Sequence, residues 1–365
     1  MKIEAKKLTL TEKVGQMFLV GLDGTEAEGD IIELIQTHKI GGILLRKINL
    51  ENIEQMQKLI NDLKAANLGN SVPLFIAISQ EIGRGNNLPK SIRKLPAIKF
   101  VSENSDKVNV IQTQQVMANL LKNLGINMNF SPLLDMGGMK DGVPLGDRCI
   151  SFTNPTVTAT FGAQAIEVYK NNGIIPVPKH FPGYTSTKGD RDDIIIPYTK
   201  KSLSKLEQFD LVPFKYVIDE GAETMLVGNI HLSKFNLFTP ATMSSKITTK
   251  LLRGRYKFNG VAIADDLCST CVKVQYGIKD AVRKSIIAGN DIVIISDAAK
   301  AKSAILDIEN QIEKGNIDEK IIDLRVQRIL DLKDRYSIND IEVAPVKLDE
   351  ENEAIEELIE KINGN

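Results

Sequence analysis

Eight short apolar runs, separated by amphipathic stretches, constrain this chain more than any other feature. They are QMFLVGL (16–22), GGILL (41–45), PLFIAIS (73–79), NMNFSPLLD (127–135), IIPVPKHF (174–181), TMLVGNI (224–230), GVAIADD (260–266) and NDIVIIS (290–296). Continuous apolar runs of this length read as strands buried on both faces. The helical spacing between them, as in NIEQMQKLINDLKAA and VIQTQQVMANLLKNL, supplies the crossovers of a parallel sheet. Eight strands are the number that closes a barrel. The predicted fold is α/β, a (β/α)8 TIM barrel in a single domain. Residues 1–340 are assigned to the barrel and 341–365 to an acidic C-terminal tail, in which LDEENEAIEELIEKI (348–362) has the pattern of one more helix. Boundary signals agree. Asn154-Pro155 opens a helix, and Gly173, Gly221 and Gly289 stand where a helix end favours glycine.

A chain of 365 residues with 46 Lys plus Arg against 47 Asp plus Glu carries a net charge of −1, which gives no electrostatic reason to expect nucleic acid or an anionic membrane as partner. The basic start MKIEAKKLTL has no apolar run after it, so no signal peptide is expected, and no stretch is apolar enough to span a bilayer. Cys149, Cys268 and Cys271 form an odd set that fits reduced thiols and a cytoplasmic address. Cys268 and Cys271 form a C-x-x-C, but a structural zinc site wants four ligands; small buried thiols are the expected reading, with no metal and no cofactor. Tryptophan, a common stacking platform in polysaccharide clefts, is absent, which leans towards a small substrate held in a pocket.

In such barrels chemistry collects at the C-terminal strand ends. Those ends are polar here: Ser79-Gln80-Glu81, Asp135, Lys179-His180, Asn229 with His231, Asp265-Asp266, and Ser296-Asp297. Solvent contact explains any one of them. It explains poorly why Lys, His and paired Asp follow fully apolar strands several times over, so a convergent site is expected.

These residues also resemble a known pattern. KHFPGYTSTKGDRDD (179–193), FNGVAIADDL (258–267), SQEIGRGNNLP (79–89), NFSPLLDM (129–136), GDRCISFTNP (146–155) and TPATMSSKITTKLLRGRYKF (239–258) are similar, in family order, to the motifs of the family 3 glycoside hydrolases, in their compact β-N-acetylglucosaminidase branch. The resemblance implies a retaining exo-β-glycosidase that forms a covalent glycosyl-Asp intermediate, acting on N-acetylglucosaminides such as cell-wall muropeptide sugars, with a small carbohydrate as partner. It places the nucleophile on Asp265 and a structural role on Asp266. It places sugar contacts on Asp135, Arg148, Lys179 and His180. The branch's Asp-x-His acid/base dyad falls on Asp190 and Asp192, so the histidine position is an aspartate. The pocket departs from the pattern at Ser79, where the family has Asp, and at Asn87, where it has Arg. These departures keep open an altered sugar specificity, phosphorylase chemistry, or a catalytically impaired pseudo-enzyme that binds a sugar or a partner. Oligomeric state is not legible in the sequence.

Overall fold

The computed structural model describes residues 3–104, 107–136, 145–184, 195–236 and 239–364. Among the described residues there are ten strands: β1 (Phe18–Gly21), β2 (Gly42–Leu45), β3 (Phe75–Ile78), β4 (Met128–Asn129), β5 (Ile175–Pro176), β6 (Tyr198–Thr199), β7 (Thr224–Val227), β8 (His231–Leu232), β9 (Val261–Ala264) and β10 (Ile292–Ile295). Eight of them form one parallel sheet in the order β5-β4-β3-β2-β1-β10-β9-β7. Helices alternate with the strands, as the spacing of the apolar runs predicts. β1, β3, β7, β9 and β10 are buried along their whole length, because the barrel lumen covers one face and the helices the other.

β4 and β5 are only two residues long. Prolines at 132, 176 and 178 remove donors from this part of the ladder. The barrel closes just beyond β5, where Phe181 and Val227 form a parallel bridge. Three main-chain bonds make that joint: Phe181 N–H to Leu226 O (2.8 Å), Leu226 N–H to Pro178 O (2.9 Å) and Gly228 N–H to Phe181 O (2.8 Å). The runs at 127–135 and 174–181 therefore pass beyond the regular ladder and continue as extended chain into the mouth.

The helix boundaries follow from local chemistry. Asn154 caps Pro155–Asn171 by accepting from the amides of Thr156 and Val157, and Pro155 occupies the first turn, where its missing N–H costs nothing. Gly289 ends Ile278–Ala288 with φ at +121°, a conformation open to glycine. The sequence reading missed a second, two-stranded sheet formed by β6 and β8 above the barrel rim. Two-residue strands leave no periodicity to find. The acidic segment forms a helix, Leu348–Gly364, with Ile355, Leu358 and Ile362 buried on one face. Among the described residues, no helix is long and apolar enough to cross a membrane.

Candidate active site

A cavity of about 670 Å³ opens at the C-terminal ends of the strands. Ser79, Glu81 and Asn87 line it from the chain after β3, Lys179 and His180 from the closing joint, and Asp265 and Asp266 from the end of β9. Arg148 reaches it from the short helix Gly146–Arg148. Four separate segments thus deliver polar groups to one space, and its volume suits a small ligand.

Asp265 is 6 % exposed. Its amide donates to Val227 O, and its Oδ1 accepts the Asp266 amide at 2.8 Å. Its Oδ2 is buried and has no hydrogen-bond partner among the described residues. Buried carboxylate oxygens are nearly always paired, so one left open towards a cavity marks a position where a reacting atom can sit. Asp266 does different work. Its Oδ1 accepts the amides of Cys268 (2.9 Å) and Ser296 (3.1 Å), tying the end of β9 to the end of β10. Burial pushes its carboxyl above the ordinary range, against those hydrogen bonds. Asn229 braces the same turn by donating to Asp266 O (2.9 Å), while its own carbonyl accepts from Thr242.

Glu81 organises the opposite wall. Lys179 Nζ lies 2.6 Å from Glu81 Oε1 and also donates to Ser79 Oγ at 2.8 Å. Arg148 approaches Glu81 bidentately, both contacts at 2.7 Å. Burial alone would raise the Glu81 carboxyl, but Lys179 and Arg148 overcome that and hold it at about 2. Glu81 is thus a fixed anion that aims two cations. The sequence placed Glu81 among the polar strand ends but gave it no role of its own.

Asp135, expected as a sugar contact, lies behind the cavity wall. It has no exposed surface and does not line the cavity. Its Oδ2 meets His180 Nδ1 at 2.8 Å and accepts the His180 amide at 3.1 Å, while Oδ1 accepts the Tyr184 amide at 2.7 Å. With both oxygens engaged, Asp135 orients the imidazole from beneath. Tyr184 packs edge-on against that ring, centroids 5.0 Å apart. Gly228 makes room for both: a Cβ there would stand 2.8 Å from the Tyr184 ring and 3.1 Å from His180 Cβ. Asn87 donates from Nδ2 to Ser79 O and from its amide to Gln80 Oε1 (2.9 Å), so the two departures from the family pattern adjoin each other.

Asp190 and Asp192 lie outside the described residues. The thiols of Cys149, Cys268 and Cys271 are free, and burial raises all three, Cys268 to about 12. Among the described residues, no three His, Cys, Asp or Glu side chains are grouped to hold a metal ion.

Carboxylates, a lysine and a histidine convergent on the C-terminal mouth of the barrel have the arrangement of an α/β-barrel enzyme site. Residues 9–332 match the glycosyl hydrolase family 3 N-terminal domain, and the chain belongs to that family. The β-hexosaminidase of Neisseria meningitidis serogroup B is 31 % identical over 263 residues, covering 70 % of this chain and 71 % of that protein. β-Hexosaminidase A of Pseudoalteromonas piscicida is 27 % identical over 330 residues, 83 % of this chain but only 55 % of the longer relative. The chain thus spans little more than half the length of one curated relative and most of another. Among solved structures, the family 3 β-N-acetylglucosaminidase of a Paenibacillus species superposes with a TM-score of 0.90 at 29 % identity, over 97 % of this chain and 69 % of that one.

Proposed function

We propose that this protein is a retaining exo-β-N-acetylglucosaminidase acting on small carbohydrates, cell-wall muropeptide sugars among them. The observation that carries the reading is the open Oδ2 of Asp265 at the wall of the strand-end cavity. In this reading Asp265 attacks the anomeric carbon as the glycosidic bond breaks. Asp192 protonates the leaving oxygen, and Asp190 is its neighbour in the dyad position. Water, deprotonated by Asp192, then releases the sugar from Asp265. A carboxylic acid serves this role in most glycosidases when its environment raises its pKa, so aspartate at the histidine position is compatible with turnover.

Lys179, Arg148 and His180 supply hydrogen-bond donors for sugar hydroxyl or acyl oxygens. The relatives named β-hexosaminidase and β-N-acetylglucosaminidase support the choice of sugar. A fluorosugar that traps the glycosyl-enzyme, followed by peptide mapping, tests the assignment. The label is expected on Asp265; a label on Asp266 or Glu81 overturns it. Asp192→Ala is expected to slow glycosides with poor leaving groups while sparing activated aryl glycosides. Equal loss on both removes Asp192 from the proton-transfer role.

Serine at 79 and asparagine at 87 favour a second reading of the specificity. Ser79 Oγ accepts from Lys179 and its carbonyl accepts from Asn87. This wall therefore offers a sugar hydroxyl neither the carboxylate nor the guanidinium of the family pattern, and a different β-hexoside fits it equally well.

A further inference from the structure

We propose that a cleft beside β6, on the barrel's C-terminal side, binds a compact oxyanion carrying two or more negative charges. The cleft encloses about 340 Å³, and Lys200, Lys201, Lys205 and Lys234 line it together with Tyr198 and Ser202. Lys201 is neutralised by Asp210 at 3.0 Å. The other three lysines are exposed and form no ion pair among the described residues, and no described carboxylate lines the cleft. The whole chain carries a net charge of −1, so this concentration of cations is local and not a reflection of a basic protein.

Lys200, Lys201 and Lys205 come from one segment and Lys234 from another, and the fold holds the two together. Tyr198 and Thr199 form β6, which pairs with His231 and Leu232 of β8. Ser233 then donates to Thr199 O from both its amide and its hydroxyl, which fixes the chain leading to Lys234. Lys205 stands on the helix Leu203–Glu207. Ammonium groups gathered around one cleft repel each other, and a bound anion offsets that repulsion. Ammonium and hydroxyl donors with no acidic acceptor are a donor set for phosphate-type oxygens. The site is separate from the strand-end cavity, and no residue lines both. It stands independently of the glycosidase reading.

Calorimetric titration of the full chain at constant ionic strength tests this, with inorganic pyrophosphate and with N-acetylglucosamine 6-phosphate as probes, and with N-acetylglucosamine and chloride as controls. At least one phosphate probe is expected to bind, with its Kd weakened about tenfold or more in the combined Lys200→Gln, Lys205→Gln, Lys234→Gln variant. The corresponding triple arginine variant should retain binding, which separates loss of charge from loss of fold. Tighter binding of pyrophosphate identifies a free inorganic anion; tighter binding of the sugar phosphate identifies a phosphomonoester. The proposal is overturned if neither probe binds more tightly than its control, or if the glutamine variant binds both as well as the wild type.

Discussion

The two ends of the barrel each bury a charge cluster, and the clusters are built to opposite purposes. At the mouth, Glu81 aims Lys179 and Arg148 towards a cavity where Asp265 Oδ2 has no partner among the described residues. At the base, Asp291, ahead of β10, is fully buried and saturated. It accepts from Arg253, from Arg328 at 2.8 Å and from the Ala262 amide at 2.8 Å, with Arg325 at 3.8 Å. Lys333 reaches in from the helix Glu319–Arg335 and donates to Gln16 Oε1, Gly41 O and Pro73 O at the feet of β1, β2 and β3. The base joins neighbouring strands and leaves its carboxylate nothing further to bind. The mouth keeps one carboxylate oxygen open. The division agrees with the general habit of this barrel, in which the bottom face serves stability and the top face chemistry.

The sharpest way to break the comparison is to exchange the effects. Asp265→Ala is expected to cut kcat on an aryl N-acetylglucosaminide by about 10⁴-fold, on the order of 5.5 kcal/mol of barrier, while its thermal midpoint stays near wild type. An Asp265 variant that keeps its turnover removes the mouth's claim to the chemistry. Asp291→Ala should do the reverse. Removing the shared anion strands three buried or half-buried arginines and should cost about 3–5 kcal/mol in denaturant unfolding, with turnover per folded molecule unchanged.

The clusters should also respond to pH in opposite windows. Glu81 is held at about 2, below its ordinary 4.5, so its folded form is the one that gives up its proton more readily. Its stabilisation is complete above about pH 4.5 and is lost as pH falls through 2; Glu81→Gln should remove that acid slope, on the order of 3 kcal/mol. Lys333 is the mirror case. Burial pushes its ammonium down to about 7 from 10.5, against the nearby Asp340. The unfolded chain then binds more protons between about pH 7 and 10.5, so stability rises with pH across that window and is flat below it. Wild type should gain on the order of 3 kcal/mol relative to Lys333→Met between pH 6.5 and 9.5, measured by thermal or denaturant unfolding. Parallel curves would show that Lys333 keeps one charge state throughout.

The smallest effect sharpens the mouth alone. Ser79→Asp with Asn87→Arg should raise kcat/KM on N-acetylglucosaminides several-fold, about 1 kcal/mol, by restoring a charged pair next to the sugar. No gain points to a different β-hexoside.

Much of this division was legible in the sequence, for physical reasons. The barrel was readable because buried parallel strands must be continuously apolar, and the mouth was readable because polar residues followed them at once. Asp265, Lys179 and His180 line the cavity wall. The role of Asp135 was not readable, because spacing cannot tell a carboxylate facing ligand from one lying beneath a histidine. Glu81 was named among the polar strand ends, but its role was not readable, because it lies in two cations that come from 67 and 98 residues further along the chain. The base cluster was invisible for the same reason: Asp291 draws its arginines from the segment before β9 and from a helix after β10, and nothing local announces their meeting.

The closing joint of the barrel has a consequence for how this protein fails. Lys179 and His180 sit within the stretch whose three main-chain bonds complete the cylinder at Phe181 and Val227. The wall that carries two donor groups is therefore also the clasp of the ring. A clasp can spring while the rest of the ring keeps its shape, because β9 and the feet of β1, β2 and β3 are anchored from below by Asp291 and Lys333. Partial opening at this point would swing both donors out of register with Asp265 while most of the hydrophobic interior stayed intact. Heat or mild denaturant should then silence the protein first and unfold it second, and amide exchange at Phe181 and Gly228 should be the earliest sign.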